Sequence, residues 1–132
     1  NDIGIAIDLN WKKQYENRKL HPLSEAENVL FDDSNKIMEI KKNIQKLNST
    51  IGEFLGIMKL SNNGCKKFLE IYENILDVSK NFHNAKSLNS AYLTDMLQEL
   101  IESNVDVHPI LIDGKWCEID TIEDLKNAED IF

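Results

Sequence analysis

The chain has 132 residues, 42% of them hydrophobic, and carries 23 acidic against 15 basic side chains for a formal charge of −8. That length and apolar content suffice for one compact domain, residues 1–132, with its own core, and the acidic balance repels the phosphate backbone that nucleic-acid binders attract. No apolar run approaches the roughly 20 residues that cross a bilayer, and no basic stretch leads into a short apolar segment as in a secretory signal, so the sequence predicts neither a nucleic-acid nor a membrane partner and a cytoplasmic location.

The chain opens Asn1-Asp2-Ile3 directly on an apolar run, without methionine, and is expected to be part of a longer protein. Residues Ile3 to Leu9, "IGIAIDL", have strand length and almost no polar members, the composition of a strand buried on both faces. Trp11 to Arg18 is charged with aromatic punctuation and predicts a short helix, broken by His21-Pro22. Strands follow at Asn28 to Asp32 and Lys36 to Lys41, joined by an Asp33-Ser34-Asn35 turn. The polar stretch Lys42 to Thr50 lacks period and reads as a loop, after which Glu53 to Leu60, "EFLGIMKL", returns to a strand.

Cys65, Phe68, Leu69, Tyr72, Ile75 and Leu76 recur at three and four, the stripe of an amphipathic helix, and Leu93, Met96, Leu97, Leu100 and Ile101 repeat that spacing. Val105 to Ile112 predicts a strand, and Asp113-Gly114 predicts a hairpin turn into a second short strand, Trp116 to Ile119. Thr121 fits an N-cap with Asp124 three residues on, and Leu125, Ala128 and Phe132 would then line the inner side of the last helix. Helices between strands predict an α/β layered sheet. The five glycines, at positions 4, 52, 56, 64 and 114, form no phosphate-cradling loop.

Extended backbone over Trp116 to Asp120 sends Trp116, Glu118 and Asp120 to one face. Two readings stand for the acids: a pair about 7 Å apart that shares one hydrated magnesium ion, or a solvated strand edge entering a capped helix. Spacing alone favours the second. Lys41 and Lys42 end a strand, where an ammonium serves either as a phosphate contact or as ordinary surface charge. Arg18 and His21 lie near Glu25 and Glu27, a cluster that either positions a cationic or phosphorylated group or is a charged loop. Asp95 lies beside the apolar stripe of its helix and reaches a cleft or water, with water favoured. His83 and His108 have no second ligand at helical spacing, and His83 is expected to be exposed. Cys65 and Cys117 stand in no metal or disulfide spacing, and no nucleophile with a neighbouring base is visible.

Taken in order, "IDLNWKKQYENR", "HPLSEAENV", "GEFLGIMKLS", "AYLTDMLQELI" and "KWCEIDTIEDL" resemble the C-terminal half of sugar-phosphate-type nucleotidyltransferases, especially the phosphocholine or phosphonate cytidylyltransferase branch. The resemblance runs from about Ile3 to Ile131. It implies the C-terminal part of a Rossmann-like sheet flanked by helices, truncated at its N-terminus, and a magnesium-dependent transfer of a nucleotidyl group. CTP is the implied donor, and the acceptor is phosphocholine, a phosphonate or a sugar phosphate.

Residue by residue, the resemblance implies Asp120 as a metal aspartate supported by Glu118. It implies Lys42, with Lys41 as its competitor, as the lysine at the acceptor phosphate, and Glu53 and Asp95 as lining the acceptor pocket. Arg18 is carried as a substrate-binding candidate from its charged cluster. The glycine-rich nucleotide loop and the first metal aspartate of such enzymes are not in this sequence, so the chain alone is expected not to turn over nucleotide. The alternative is a noncatalytic α/β interaction domain on the same fold. An open sheet edge would also invite a homo-oligomer.

Overall fold

The computed structural model describes residues 1–16, 18–76, 81–129 and 131. Strand β1 (Ile3–Asp8) has all six residues buried, which its sequence requires: five apolar or glycine residues in a row leave no face for water. It is flanked on both sides, pairing antiparallel with β4 (Ile51–Leu60) and parallel with β5 (Val107–Ile112). Strands β2 (Glu27–Phe31) and β3 (Ile37–Lys42) form the expected hairpin, and β2 also pairs with β4. The sheet order is β3-β2-β4-β1-β5.

Local chemistry fixes these elements. In the β2–β3 turn, one Asp32 carboxylate oxygen accepts from the backbone N–H of Ser34 (2.8 Å) and of Lys36 (2.9 Å), and Asn35 takes the left-handed φ of 60° that asparagine tolerates. Helix α1 (Asn62–Ile75) starts at Ser61, whose hydroxyl accepts from the Gly64 N–H at 3.0 Å. Helix α2 (Leu93–Glu102) buries Met96, Leu97 and Leu100 against Ile5, Ile7, Ile40 and Phe54 of the sheet, each such side chain contributing about 1.5–3 kcal/mol of burial. Helix α3 (Ile122–Ala128) follows the Thr121 cap, with Thr121 and Asp124 forming a reciprocal capping box.

The result is an α/β fold, which among the described residues is a mixed open sheet of five strands flanked by three helices. Trp11–Tyr15 forms a 3-10 turn just beyond β1, where Trp11, Tyr15 and Ala26 make a second small core with Ile51 and Trp116. That cluster caps the end of the sheet at which β1 and β5 finish. Stagger sets the start of β2 and the end of β3 level with that edge: Glu53 of β4 pairs with Asp8 on one side and Asn28 on the other, and Asn28 pairs with Lys41.

Three expectations are corrected. Trp116 to Ile119 forms no strand; its indole N–H is instead taken by Asp8 at 2.6 Å, drawing the chain over the end of β1 rather than back along β5. The inner side of α3 is marked by the buried Asp124, whereas Leu125 is half-exposed, because Asp124 is held by an arginine described below. Phe132 lies outside the described residues. Of the α1 stripe, Ile75 is buried but Leu69, Tyr72 and Leu76 are exposed.

Candidate active site

Ligands of open α/β sheets bind beyond the carboxyl ends of the parallel strands, and here that end holds a cavity of about 180 Å³. Lys42 reaches it from the last position of β3, Glu53 from β4, His21 and Glu25 from the loop before β2, and Glu118 and Asp120 from the segment before α3. Two-residue periodicity decides between the neighbouring lysines. Lys42 faces the cavity, with its ammonium 2.9 Å from Glu25 and 5.1 Å from the centre of the Tyr92 ring, whereas Lys41 points to the other face and pairs with Glu39 at 2.5 Å. The hydrogen bond from Lys42 lowers the Glu25 pKa, and its partnership with Glu25 raises that of Lys42.

Arg18 organises the acidic side of the cavity. Its side chain is only 6% exposed, and its guanidinium meets Asp124 at 2.7 Å, Asp120 at 3.3 Å and Glu118 at 3.7 Å. It also lies 5.0 Å from the Tyr15 ring centre. Burial acts to raise the Asp124 pKa, but the hydrogen bonds from Arg18 and Thr121 outweigh it and hold the carboxyl at about 2. Asp120 is half-exposed, and the same Oδ2 that meets Arg18 lies 3.3 Å from His21 Nδ1. Although Trp116 to Asp120 is not a strand, Trp116 bonds Asp8, and Glu118 and Asp120 both turn to Arg18.

Glu53 lies at the floor of the cavity, 2% exposed. Burial raises its pKa to about 7, against the Tyr15 hydroxyl, which donates to Oε1. Its Oε2 has no hydrogen-bond partner among the described residues. Burial also raises Glu118, helped by the charge of Asp120, and Glu27 on the cavity wall. Crowding carboxylates around one lysine in this way favours a ligand that brings cationic charge of its own.

The structure therefore brings together Lys42, Glu53, Glu118 and Asp120, with Arg18 behind them. Asp95 does not join them. It faces neither cleft nor water: its two oxygens accept from the N–H groups of Asn84 (3.1 Å) and Tyr92 (2.9 Å), making it the buried cap of α2. The aromatic faces are also partly taken, Trp11 by Lys12 and Tyr15 by Arg18. Sequence reasoning missed Asp8 as the acceptor for Trp116 and Asp124 as the chief partner of Arg18. The capping role of Asp124 was legible; its second role was not. For a metal, one ligand atom each from His21, Glu118 and Asp120 lies within 4.8 Å of the others. The two carboxylates fit magnesium, which takes one or two such ligands and completes its shell with water and phosphate oxygens.

The fold and site define a class: an α/β domain with an acidic, lysine-bearing cleft at the carboxyl ends of its parallel strands. No family model matches the chain. Over 129 residues, 95% of its length, it is 31% identical to CTP:phosphoglutamine cytidylyltransferase of Campylobacter jejuni subsp. jejuni serotype O:2, and it spans about half of that protein (48%). The chain is thus similar to one half of a cytidylyltransferase. The relative's name specifies no phosphocholine or phosphonate acceptor.

Proposed function

We propose that the chain is the acceptor-side half of a cytidylyltransferase that joins CMP, taken from CTP, to a small phosphorylated acceptor with release of pyrophosphate. One observation carries this reading: on a chain 31% identical to a CTP-using cytidylyltransferase, Lys42 and Asp120 converge on one cavity from distant parts of the sequence. The acceptor phosphate needs a cation to hold it, and Lys42 is a mobile point charge at the cavity wall. The reaction is an in-line displacement in which an acceptor phosphate oxygen bonds to the α-phosphorus of CTP as the bond to pyrophosphate breaks.

Glu118 and Asp120 would hold magnesium, which when bound neutralises the charge gathering on the phosphates. Arg18 positions these two carboxylates rather than contacting phosphate, because its donors are already directed at three acids. Glu53 offers the buried Oε2 as an acceptor for a ligand N–H or O–H. Acceptors that carry an N–H group fit this chemistry, among them phosphoglutamine and 2-aminoethylphosphonate, whereas the quaternary nitrogen of phosphocholine has no hydrogen to donate and would meet the carboxylates by charge alone. The glycine-rich nucleotide loop belongs to the half that this chain does not span.

The test is pyrophosphate release from CTP and magnesium by a longer chain that includes the other half, run against those acceptors and a sugar phosphate. Turnover with one of them, lowered by about a hundredfold in Asp120→Asn and lost from the isolated 132-residue chain, is expected. Turnover unchanged in both Asp120→Asn and Lys42→Met would overturn the assignment.

A further inference from the structure

Away from the cleft, at the far end of α2, His83 meets two glutamates. The residues Phe82 and Ala85 form an isolated antiparallel bridge, with Phe82 N–H donating to Ala85 at 3.0 Å and Ala85 N–H returning to Phe82 at 2.9 Å. This tight turn places His83 at a left-handed φ of 48°, a conformation that histidine adopts more readily than most residues. The buried Phe82 ring meets the imidazole edge-on at 4.7 Å. Asp95 fixes the next residue by accepting the Asn84 N–H. The ring is thus oriented by backbone and packing, and it is not exposed as the sequence led us to expect.

Opposite it, Glu99 and Glu102 stand three apart on α2 and so share a face. His83 Nε2 lies 2.8 Å from Glu99, and Nδ1 lies 3.9 Å from Glu102. One ligand atom from each of the three lies within 4.8 Å of the others, so modest side-chain shifts would bring them to the separation of about 3.4 Å that tetrahedral zinc ligands keep. Glu102 is also steered by Gln98, whose amide donates to it at 2.8 Å. Among the described residues no lysine or arginine is paired with Glu99 or Glu102, and one imidazole faces both carboxylates.

We propose that His83, Glu99 and Glu102 form a binding site for a divalent transition ion of the zinc type, which clips the 82–85 turn to α2. One imidazole nitrogen and two carboxylate oxygens suit zinc, cobalt or manganese; magnesium and calcium prefer oxygen alone. Three protein ligands leave one position for water. The ion would neutralise the two carboxylates, and it holds a segment whose other anchor is the α2 cap. The site shares no residue with the cleft and does not depend on the proposed activity.

The experiment is titration of the 132-residue chain with zinc by calorimetry and with cobalt by visible absorption, in wild type, Glu102→Gln, His83→Asn and Asp120→Asn. Glu102 is solvent-facing and asparagine accepts a left-handed backbone, so both site variants keep the fold, as circular dichroism will verify. An equivalent of ion is expected to remain in Asp120→Asn, where any ion held by His21, Glu118 and Asp120 of the cleft is weakened, and to bind at least about tenfold more weakly in Glu102→Gln and His83→Asn. Titrations that are the same in wild type and both site variants, or a signal lost only in Asp120→Asn, would overturn the proposal.

Discussion

Glu53 carries a carboxyl whose pKa burial raises from 4.5 to about 7, and the sign of its effect on stability follows. Between those values the folded chain keeps a proton that the unfolded chain has released, so stability is highest below about pH 4.5 and falls as pH rises to about 7, beyond which the term is constant. The shift corresponds to roughly 3 kcal/mol at most. Glu27 and Glu118, also raised by burial, add to the same trend. Asp124 runs the other way, since its depressed pKa of about 2 contributes stability that is lost only as pH falls from 3.8 toward 2. Urea unfolding at stepped pH is therefore expected to show a decline from pH 5 to 7 that is shallower in Glu53→Gln. That variant should be more stable than wild type above pH 7. A profile identical to wild type would show that Glu53 ionises normally in the folded protein.

At the scale of elements, the start of α1 shows packing overriding propensity. Gly64 lies in the first turn of the helix, where alanine ordinarily gains up to about 1 kcal/mol. A Cβ there would stand 2.2 Å from the Asp2 carbonyl oxygen, the same oxygen that accepts the Ser61 N–H at 2.8 Å. Backbone lies on both sides of this clash, so Gly64→Ala is expected to destabilise by about 1–3 kcal/mol, read as a lower thermal midpoint. Elements of this kind were largely legible in the sequence. The apolar run of β1, the Asp33-Ser34-Asn35 turn and the Thr121–Asp124 box are short-range signals, and each formed where its chemistry lies. The segment Trp116 to Ile119 did not form a strand, because its side chains found Asp8 and Arg18, residues about a hundred positions earlier. Asp95 was misplaced for a local reason: a carboxylate at the third position of a helix caps its own first turn, and the apolar stripe gives no sign of that.

For the molecule as a whole, the cleft is drawn together from both ends of the chain. Periodicity put Lys42 at a strand end and Glu118 and Asp120 on one face, but only the family resemblance linked them, since no sequence spacing encodes a meeting of residues so far apart. The contact between Arg18 and Asp124 spans 106 positions. Such a closure is slow to gain and comes late, after the sheet that carries both partners has formed. Deleting it by Arg18→Leu strands a buried carboxylate and costs about 3–5 kcal/mol. That loss is expected almost wholly in the escape from the native state, with unfolding accelerated about a hundredfold or more and refolding nearly unchanged in stopped-flow measurements. Refolding slowed in proportion would place the latch in the nucleus. A latch that closes last also opens first, so the residues gathered behind it are kept in place by kinetics as much as by equilibrium.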